Sequence, residues 1–449
     1  MNMIAEMAIG IGVMFQSAFQ LLKLNFLKST YVVIALLLFA HYLLTKANQN
    51  KAHARLRWLV VFLIVFASVA GFLYFRQMTL NAYAHYVPTM EPLDLKINYH
   101  GAMESRLYEM SVGEDANWHM TAVFMPPVFA FMRFSTFILG DTFEVYYRNY
   151  RICGILAAAL TLFMLIYFAM KKLGRESTSD IVIAAFAINT FLFLLFYFVT
   201  DIRIGNTNVF VGFLVTAQLC LTLWKRPFSK FSQAFLFLLA WWIKPNMVLV
   251  IWALTVFSLS RREYAYLTGL LCGIVAPVLA SLLATNISLE TYLIYFTEVS
   301  KIIEQAALVH SSNLSIFYIF DNPVLAYKIA LIAAGLIVLW YTIRVKDPDF
   351  LRFEIFCFLI TYLFWTRVWA YYFIPVAVIT WVNMVERIKR GRQIYFELLL
   401  VLFLSMSLAL INAVGVNLTL AVAAVVCVGQ HVPFFRTQMA PSSGSARLP

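Results

Sequence analysis

Apolar residues run along this chain in long blocks separated by short linkers rich in Lys and Arg, and the blocks predict helices. Residues 31–44 and 58–75 are two such blocks, joined by a linker with Lys46, Lys51, Arg55 and Arg57. Residues 150–170 lead to Lys171, Lys172 and Arg175, and residues 181–200 lead away to Asp201-Ile-Arg-Ile-Gly-Asn-Thr-Asn208. The next block ends at Trp224-Lys-Arg-Pro227. Residues 231–260 are predicted as two short helices broken at Lys244-Pro245, because proline cannot continue a helix and turns its predecessor away from helical angles. Beyond Arg261-Arg262 come blocks 264–283, 324–341 and 353–366, a span ending at Arg387, Lys389, Arg390 and Arg392, and then 396–414 and 418–428. A membrane-spanning helix needs about 20 mostly apolar residues. The pattern therefore predicts an all-α, polytopic membrane protein with about 13 transmembrane helices. Residues 4–22, with Glu6, Gln16 and Gln20, fit an interfacial helix as well as a span. Residues 441–449, Pro-Ser-Ser-Gly-Ser-Ala-Arg-Leu-Pro, read as a flexible tail behind a single domain of residues 1–440.

Composition strengthens this picture: 62% of the 449 residues are hydrophobic and 12% charged, against roughly 25% charged in a soluble domain. The net charge of +12 sits mainly in alternate short linkers, the positive-inside pattern, so it reports topology and not a nucleic-acid partner. Those linkers are expected to face the cytoplasm, which leaves residues 77–148 and 285–323 as external loops. The five cysteines, Cys153, Cys220, Cys272, Cys357 and Cys427, lie singly in apolar blocks and suggest neither a disulfide framework nor a metal motif. The N-terminus lacks the pattern of a cleaved signal peptide, so its first apolar segment is expected to be retained.

The interval 77–148 breaks the apolar pattern and holds eight of the 22 acidic residues: Glu91, Asp94, Glu104, Glu109, Glu114, Asp115, Asp141 and Glu144. Pro126-Pro127 opens an apolar stretch, 128–139, that is too short to cross a bilayer and is predicted to lie along its outer interface. On the assigned topology this loop meets Arg203, Lys244, Arg367 and the polar loop 285–323 at one membrane face. A carboxylate there can take a proton from an incoming hydroxyl, while Arg and Lys stabilise a departing phosphate. Blander readings exist for each group: a solvated acidic loop, Arg203 and Arg367 as headgroup anchors, and Lys244 snorkelling to the interface. His100, His119 and His310 have no ligand spacing. Tyr99, Tyr108, Trp118 and Trp369 suit either stacking on a sugar or an interfacial belt.

Four motifs, Phe124-Met-Pro-Pro-Val-Phe-Ala-Phe131, Gly205-Asn-Thr-Asn208, Trp242-Ile-Lys-Pro245 and Trp369-Ala-Tyr-Tyr-Phe-Ile-Pro375, resemble in order and spacing those of the bacterial family 87 glycosyltransferases. That family belongs to the multi-spanning GT-C class and includes polyprenyl-phosphate-dependent mannosyltransferases and related arabinofuranosyltransferases. The resemblance implies a GT-C-like bundle with interfacial helices in a long first external loop, embedded in a bacterial cytoplasmic membrane with its site facing the periplasm or cell exterior. It implies inverting transfer of arabinofuranose or mannose from a polyprenyl-phosphate donor to an acceptor glycan, glycolipid or exported protein, with no cofactor and no metal. Asp94, shortly before Tyr99, matches the position of the family's catalytic carboxylate, with Glu91 and Glu104 as alternatives. Lys244, Arg203 and Arg367 are expected at the donor phosphate, together with Tyr371, which stands where the family often has a histidine. Tyr99, Asn206, Asn208 and Trp369 are the expected substrate contacts.

Two other functions compete. A polysaccharide polymerase or ligase would use a polyprenyl-diphosphate oligosaccharide at the same face. A secondary transporter would show paired halves with broken helices and polar groups at mid-membrane.

Overall fold

The computed structural model describes residues 92–103, 108, 124–173, 201–202, 205–224, 226–285, 287–299, 323–344, 350–363 and 373–389. The expected segments 4–22, 31–44, 58–75, 181–200, 396–414 and 418–428 and the tail 441–449 lie outside them. The described residues are helical, with no strand among them. They form α1 (Leu93–Met103), α2 (Pro126–Leu139), α3 (Phe143–Leu173), α4 (Asn208–Leu221), α5 (Pro227–Ile243), α6 (Val248–Ser260), α7 (Tyr264–Ala284), α8 (Leu289–Ile294), α9 (Pro323–Arg344), α10 (Phe350–Leu363) and α11 (Phe373–Lys389). A π turn, Tyr295–Val299, follows α8.

Pro126 and Pro127 occupy the first turn of α2, where a missing N–H costs nothing. The break predicted at Lys244-Pro245 is present: α5 ends at Ile243, Lys244 is extended (φ −140°, ψ 104°), and the 3-10 turn Pro245–Met247 leads into α6. α3 begins at Phe143, seven residues before the apolar block at 150. Its extra N-terminal turns carry Glu144, whose charge suits the positive end of the helix dipole.

Contacts fix the helix directions. Tyr150 and Gly154 of α3 meet Asn206 and Ile202, and Met164 meets Cys220, so α3 and α4 run parallel. α5 returns antiparallel to α4 after a short turn, and α7 runs alongside α5. Lys172 of α3 pairs with Glu386 of α11 at 2.6 Å, and Lys230 of α5 pairs with Glu263 before α7. Phe257 of α6 stacks on Phe353 of α10, which also stacks on Tyr341 near the end of α9. One end of the bundle thus gathers Lys171, Lys172, Arg226, Lys230, Arg261, Arg262, Arg387 and Lys389. The other gathers α1, the turn 205–208, the Lys244 break and the start of α3.

Among the described residues two helices, α3 and α7, are long and apolar enough to cross a membrane. Over residues 152–170 of α3 and 271–284 of α7 the exposed residues are apolar, among them Phe163, Ile155, Leu271 and Leu283. α2 exposes Phe131, Phe134, Phe137 and Ile138 on one face while burying Phe129 and Met132 on the other. Such wide exposed apolar surface is unusual for a soluble monomer. α5 and α7 pack closely through Gly269-Leu-Leu-Cys-Gly273: a Cβ at Gly269 would lie 2.3 Å from the Phe231 carbonyl oxygen, and one at Gly273 2.6 Å from Leu238 Cβ. This small-residue spacing lets helices approach where lipid gives no hydrophobic drive.

Gly205 fastens α1 to the end of the bundle. Its φ is +73°, and a Cβ on it would lie 2.3 Å from Leu95 Cβ and 3.0 Å from Leu95 N. Gly205→Ala therefore combines a left-handed penalty with a backbone clash and is expected to cost about 2–5 kcal/mol. Thermal unfolding of the detergent-solubilised variant should show a clear fall in midpoint, and an unchanged midpoint would remove Gly205 from this role.

Candidate functional site

The polar turn 205–208 is built on a buried carboxylate. Asp201 is fully buried; its Oδ2 accepts from Val209 N–H and its Oδ1 from Asn208 Nδ2, both at 2.8 Å. A carboxylate at a helix N-terminus satisfies orphan N–H groups and meets the positive end of the dipole, which offsets part of its desolvation. Asn206 N–H donates to the Asp201 carbonyl at 2.8 Å, and Asn206 Oδ1 accepts from Thr207 N–H and Asn208 Nδ2. Tyr150 OH donates to the Asn206 carbonyl. The side chains of Asn206 and Asn208 are buried and hydrogen-bonded inside the turn.

Over this turn lies α1, with Asp94 as its second residue and Leu95 against Gly205. Asn98 Oδ1 accepts from Phe124 N–H at 3.2 Å, which joins α1 to the segment leading into α2. Arg133 of α2 donates from Nε to the Ala102 carbonyl and from Nη1 to the Thr285 carbonyl at 2.9 Å, so one guanidinium joins α1, α2 and the end of α7. Burial lowers its pKa.

Tyr99 is buried and donates to the Asp141 carbonyl at 2.6 Å. Burial, and then the charges of Asp141 and Glu144, raise its pKa, so it stays a hydrogen-bond donor. Tyr108 is also buried, with its hydroxyl 2.5 Å from the Phe124 carbonyl, and burial holds its pKa well up. Its φ of +70° is rare for an aromatic residue, and strain of this kind concentrates at functional sites. Both tyrosines pack within an apolar cluster that also takes in Leu95, Phe124, Met125, Trp242 and Tyr292, with Ile243 at its edge. Lys244, half-buried, follows that cluster directly. Thus Leu95 beside Asp94, Phe124-Met125 before the Pro-Pro step, and Trp242-Ile243 before Lys244 come together at one end of the bundle.

Glu91, Glu104, Arg203, Arg367, Trp369 and Tyr371 lie outside the described residues, as does Trp118. No group of three or more His, Cys, Asp and Glu is brought together among the described residues. The sequence reading passed over Asp201, Arg133 and Thr207. Asp201 was visible as a charged residue beside an apolar block and Arg133 as one within the stretch 128–139, whereas Thr207 carried no signal of its own. Two buried groups at this end, Thr207 Oγ1 and Trp241 Nε1, have no hydrogen-bond partner among the described residues. No protein-family model, curated protein or solved structure matches the chain.

Removal of Asp201 leaves Val209 N–H and Asn208 Nδ2 without their acceptor. Asp201→Ala should lower stability by about 2–4 kcal/mol, the sum of a lost cap and an orphaned buried group. Asp201→Asn, which keeps one acceptor, should lie between wild type and Asp201→Ala in thermal unfolding. Equal midpoints for all three would contradict the turn's dependence on this carboxylate.

Proposed function

We propose that the chain is a multi-pass membrane glycosyltransferase of the kind its motifs resemble. It moves arabinofuranose or mannose, with inversion, from a polyprenyl-phosphate donor to an acceptor glycan, glycolipid or exported protein. In this reading about thirteen helices cross a bacterial cytoplasmic membrane, the basic end faces the cytoplasm, and the site faces outward. The observation that carries the proposal is the meeting of three separated motifs at the end of the bundle opposite the basic clusters: α1 with Asp94, the turn 205–208, and the helix break at Lys244.

The chemistry assigned to these residues is a single displacement. The acceptor hydroxyl attacks the anomeric carbon from the face opposite the phosphate, Asp94 takes the hydroxyl proton, and the bond from that carbon to the phosphate oxygen breaks. Polyprenyl phosphate leaves with the bonding electrons, and Lys244, Arg203 and Arg367 with Tyr371 offset its charge. Glu91 and Glu104 are the alternative bases. Asn206 and Asn208 serve the substrate by shaping the turn beneath it, since their amides are engaged within that turn. Thr207 Oγ1 and Trp241 Nε1 are polar groups that sugar hydroxyls would satisfy, and Trp369 supplies a stacking face.

Asp94→Asn keeps size and removes basicity, so transfer from a synthetic polyprenyl-phosphate sugar by the purified protein should fall by about two to four powers of ten. Donor binding should be largely intact. Lys244→Ala should weaken donor binding as well, because a phosphate contact acts on ground and transition states alike. Full activity in Asp94→Asn, Glu91→Gln and Glu104→Gln together would end carboxylate catalysis from this region. Orientation has its own check: single cysteines at 94, 115 and 305 should react with an impermeant reagent from outside, and those at 174 and 348 should not. The opposite labelling would overturn the assigned face.

A further inference from the structure

A second polar cluster lies toward the basic end of the bundle, away from the residues used in transfer. Glu354 of α10 and Gln218 of α4 are both fully buried, and Gln218 Nε2 donates to Glu354 Oε1. The other two oxygens of this pair, Gln218 Oε1 and Glu354 Oε2, have no hydrogen-bond partner among the described residues. Both are acceptors if the carboxyl is ionised, so neither can satisfy the other. A buried carboxylate left in that state is strongly unfavourable.

The surroundings supply no charge relief among the described residues. Tyr266 of α7 and Cys357 of α10 are the titratable groups whose interaction with Glu354 is resolved. Tyr341 of α9 stacks on Phe353 and Phe356 to either side of it in the chain. On α11, Glu386 is engaged by Lys172 of α3. α6 contributes no ionisable residue.

One proton resolves both orphan atoms. With it on Glu354 Oε2, that O–H donates to Gln218 Oε1 while Gln218 Nε2–H donates to Glu354 Oε1, a cyclic pair in which all four polar atoms are bonded. We propose that Glu354 is a proton-binding site, neutral in the folded protein, and that the acid–amide pair latches α4 to α10. α4 is the helix whose opposite end carries the Asp201 turn, so the latch holds the support of α1 from below. The inference stands independently of the transfer reaction. Loss of the proton sets a carboxylate against an amide oxygen and opens the latch. A Glu in the unfolded chain gives up its proton near pH ~4.3; above that the folded chain binds one proton more, so stability falls as pH rises.

Infrared spectroscopy of the full chain in lipid nanodiscs at near-neutral pH tests this. The expected result is a protonated-carboxyl stretch in wild type, moved by isotope-labelled glutamate and lost in Glu354→Gln. Thermal midpoints of wild type should fall when the pH is raised from about 6 to about 10, while Glu354→Gln, which pairs amide to amide, should lose that part of the pH dependence. If Glu354→Gln does not fold, Gln218→Leu serves instead: it should shift the carboxyl band by removing its hydrogen-bond partner. Absence of a glutamate-dependent carboxyl band in wild type, or a band unmoved by Gln218→Leu, overturns the proposal.

Discussion

A carboxylate without access to water, Asp201, sits where α4 begins, and most of what is arranged at that end of the bundle depends on it. Its oxygens accept from Val209 N–H and Asn208 Nδ2, which holds residues 205–208 in a tight turn. The turn presents Gly205 in a left-handed conformation with no side chain, and Leu95 of α1 fills the space. Asp94 owes its position to that chain of contacts. Because a buried carboxylate with its partners removed costs several kcal/mol, the turn has few alternative conformations.

The rest of the molecule brings other segments to the same place. α3 supplies Tyr150 to the Asn206 carbonyl, and the α5 and α7 pair, drawn close by Gly269 and Gly273, supports Trp242, whose indole N–H donates to the Gly273 carbonyl at 2.9 Å. Trp242 meets Tyr292 edge to face, and Tyr292 shares a hydroxyl contact with Ser281. α8 is thereby packed against α5 and α7, beside the residues that lead to Lys244. Arg133 and Asn98 complete the frame from above by fixing α1 to α2. Polar side chains thus bind backbone carbonyls and amides across helices, while an apolar cluster keeps water out of the joints.

The sequence revealed the features that local chemistry determines. A proline after Lys244 marked the helix break, and the twelve-residue stretch after Pro127, too short to span a membrane, lies within the short helix α2. Helix ends were less legible: α3 starts at Phe143 because polar residues such as Glu144 and Arg148 extend the helix beyond its apolar block. The partners of buried polar groups were not legible at all. Asp201 and Glu354 acquire their meaning from Val209, Asn208 and Gln218, contacts set by helix packing and, for Gln218, by a residue 136 positions away. From sequence Tyr99 and Tyr108 suited either stacking on a sugar or an interfacial belt; both turn inward to backbone carbonyls, because a tyrosine in an apolar joint needs an acceptor for its hydroxyl.

Segments around residues 94 and 244, far apart in sequence, share the end of the bundle opposite the basic clusters. α3 alone has 31 residues, which at about 1.5 Å per residue separates the two ends by roughly 45 Å. Paired spin labels measured by electron resonance in nanodiscs test this directly, with one label at 94 and its partner at 244 or at 389. The expected result is a short 94–244 distance and a 94–389 distance approaching the length of α3. A 94–244 distance equal to or longer than the 94–389 distance would contradict the shared site.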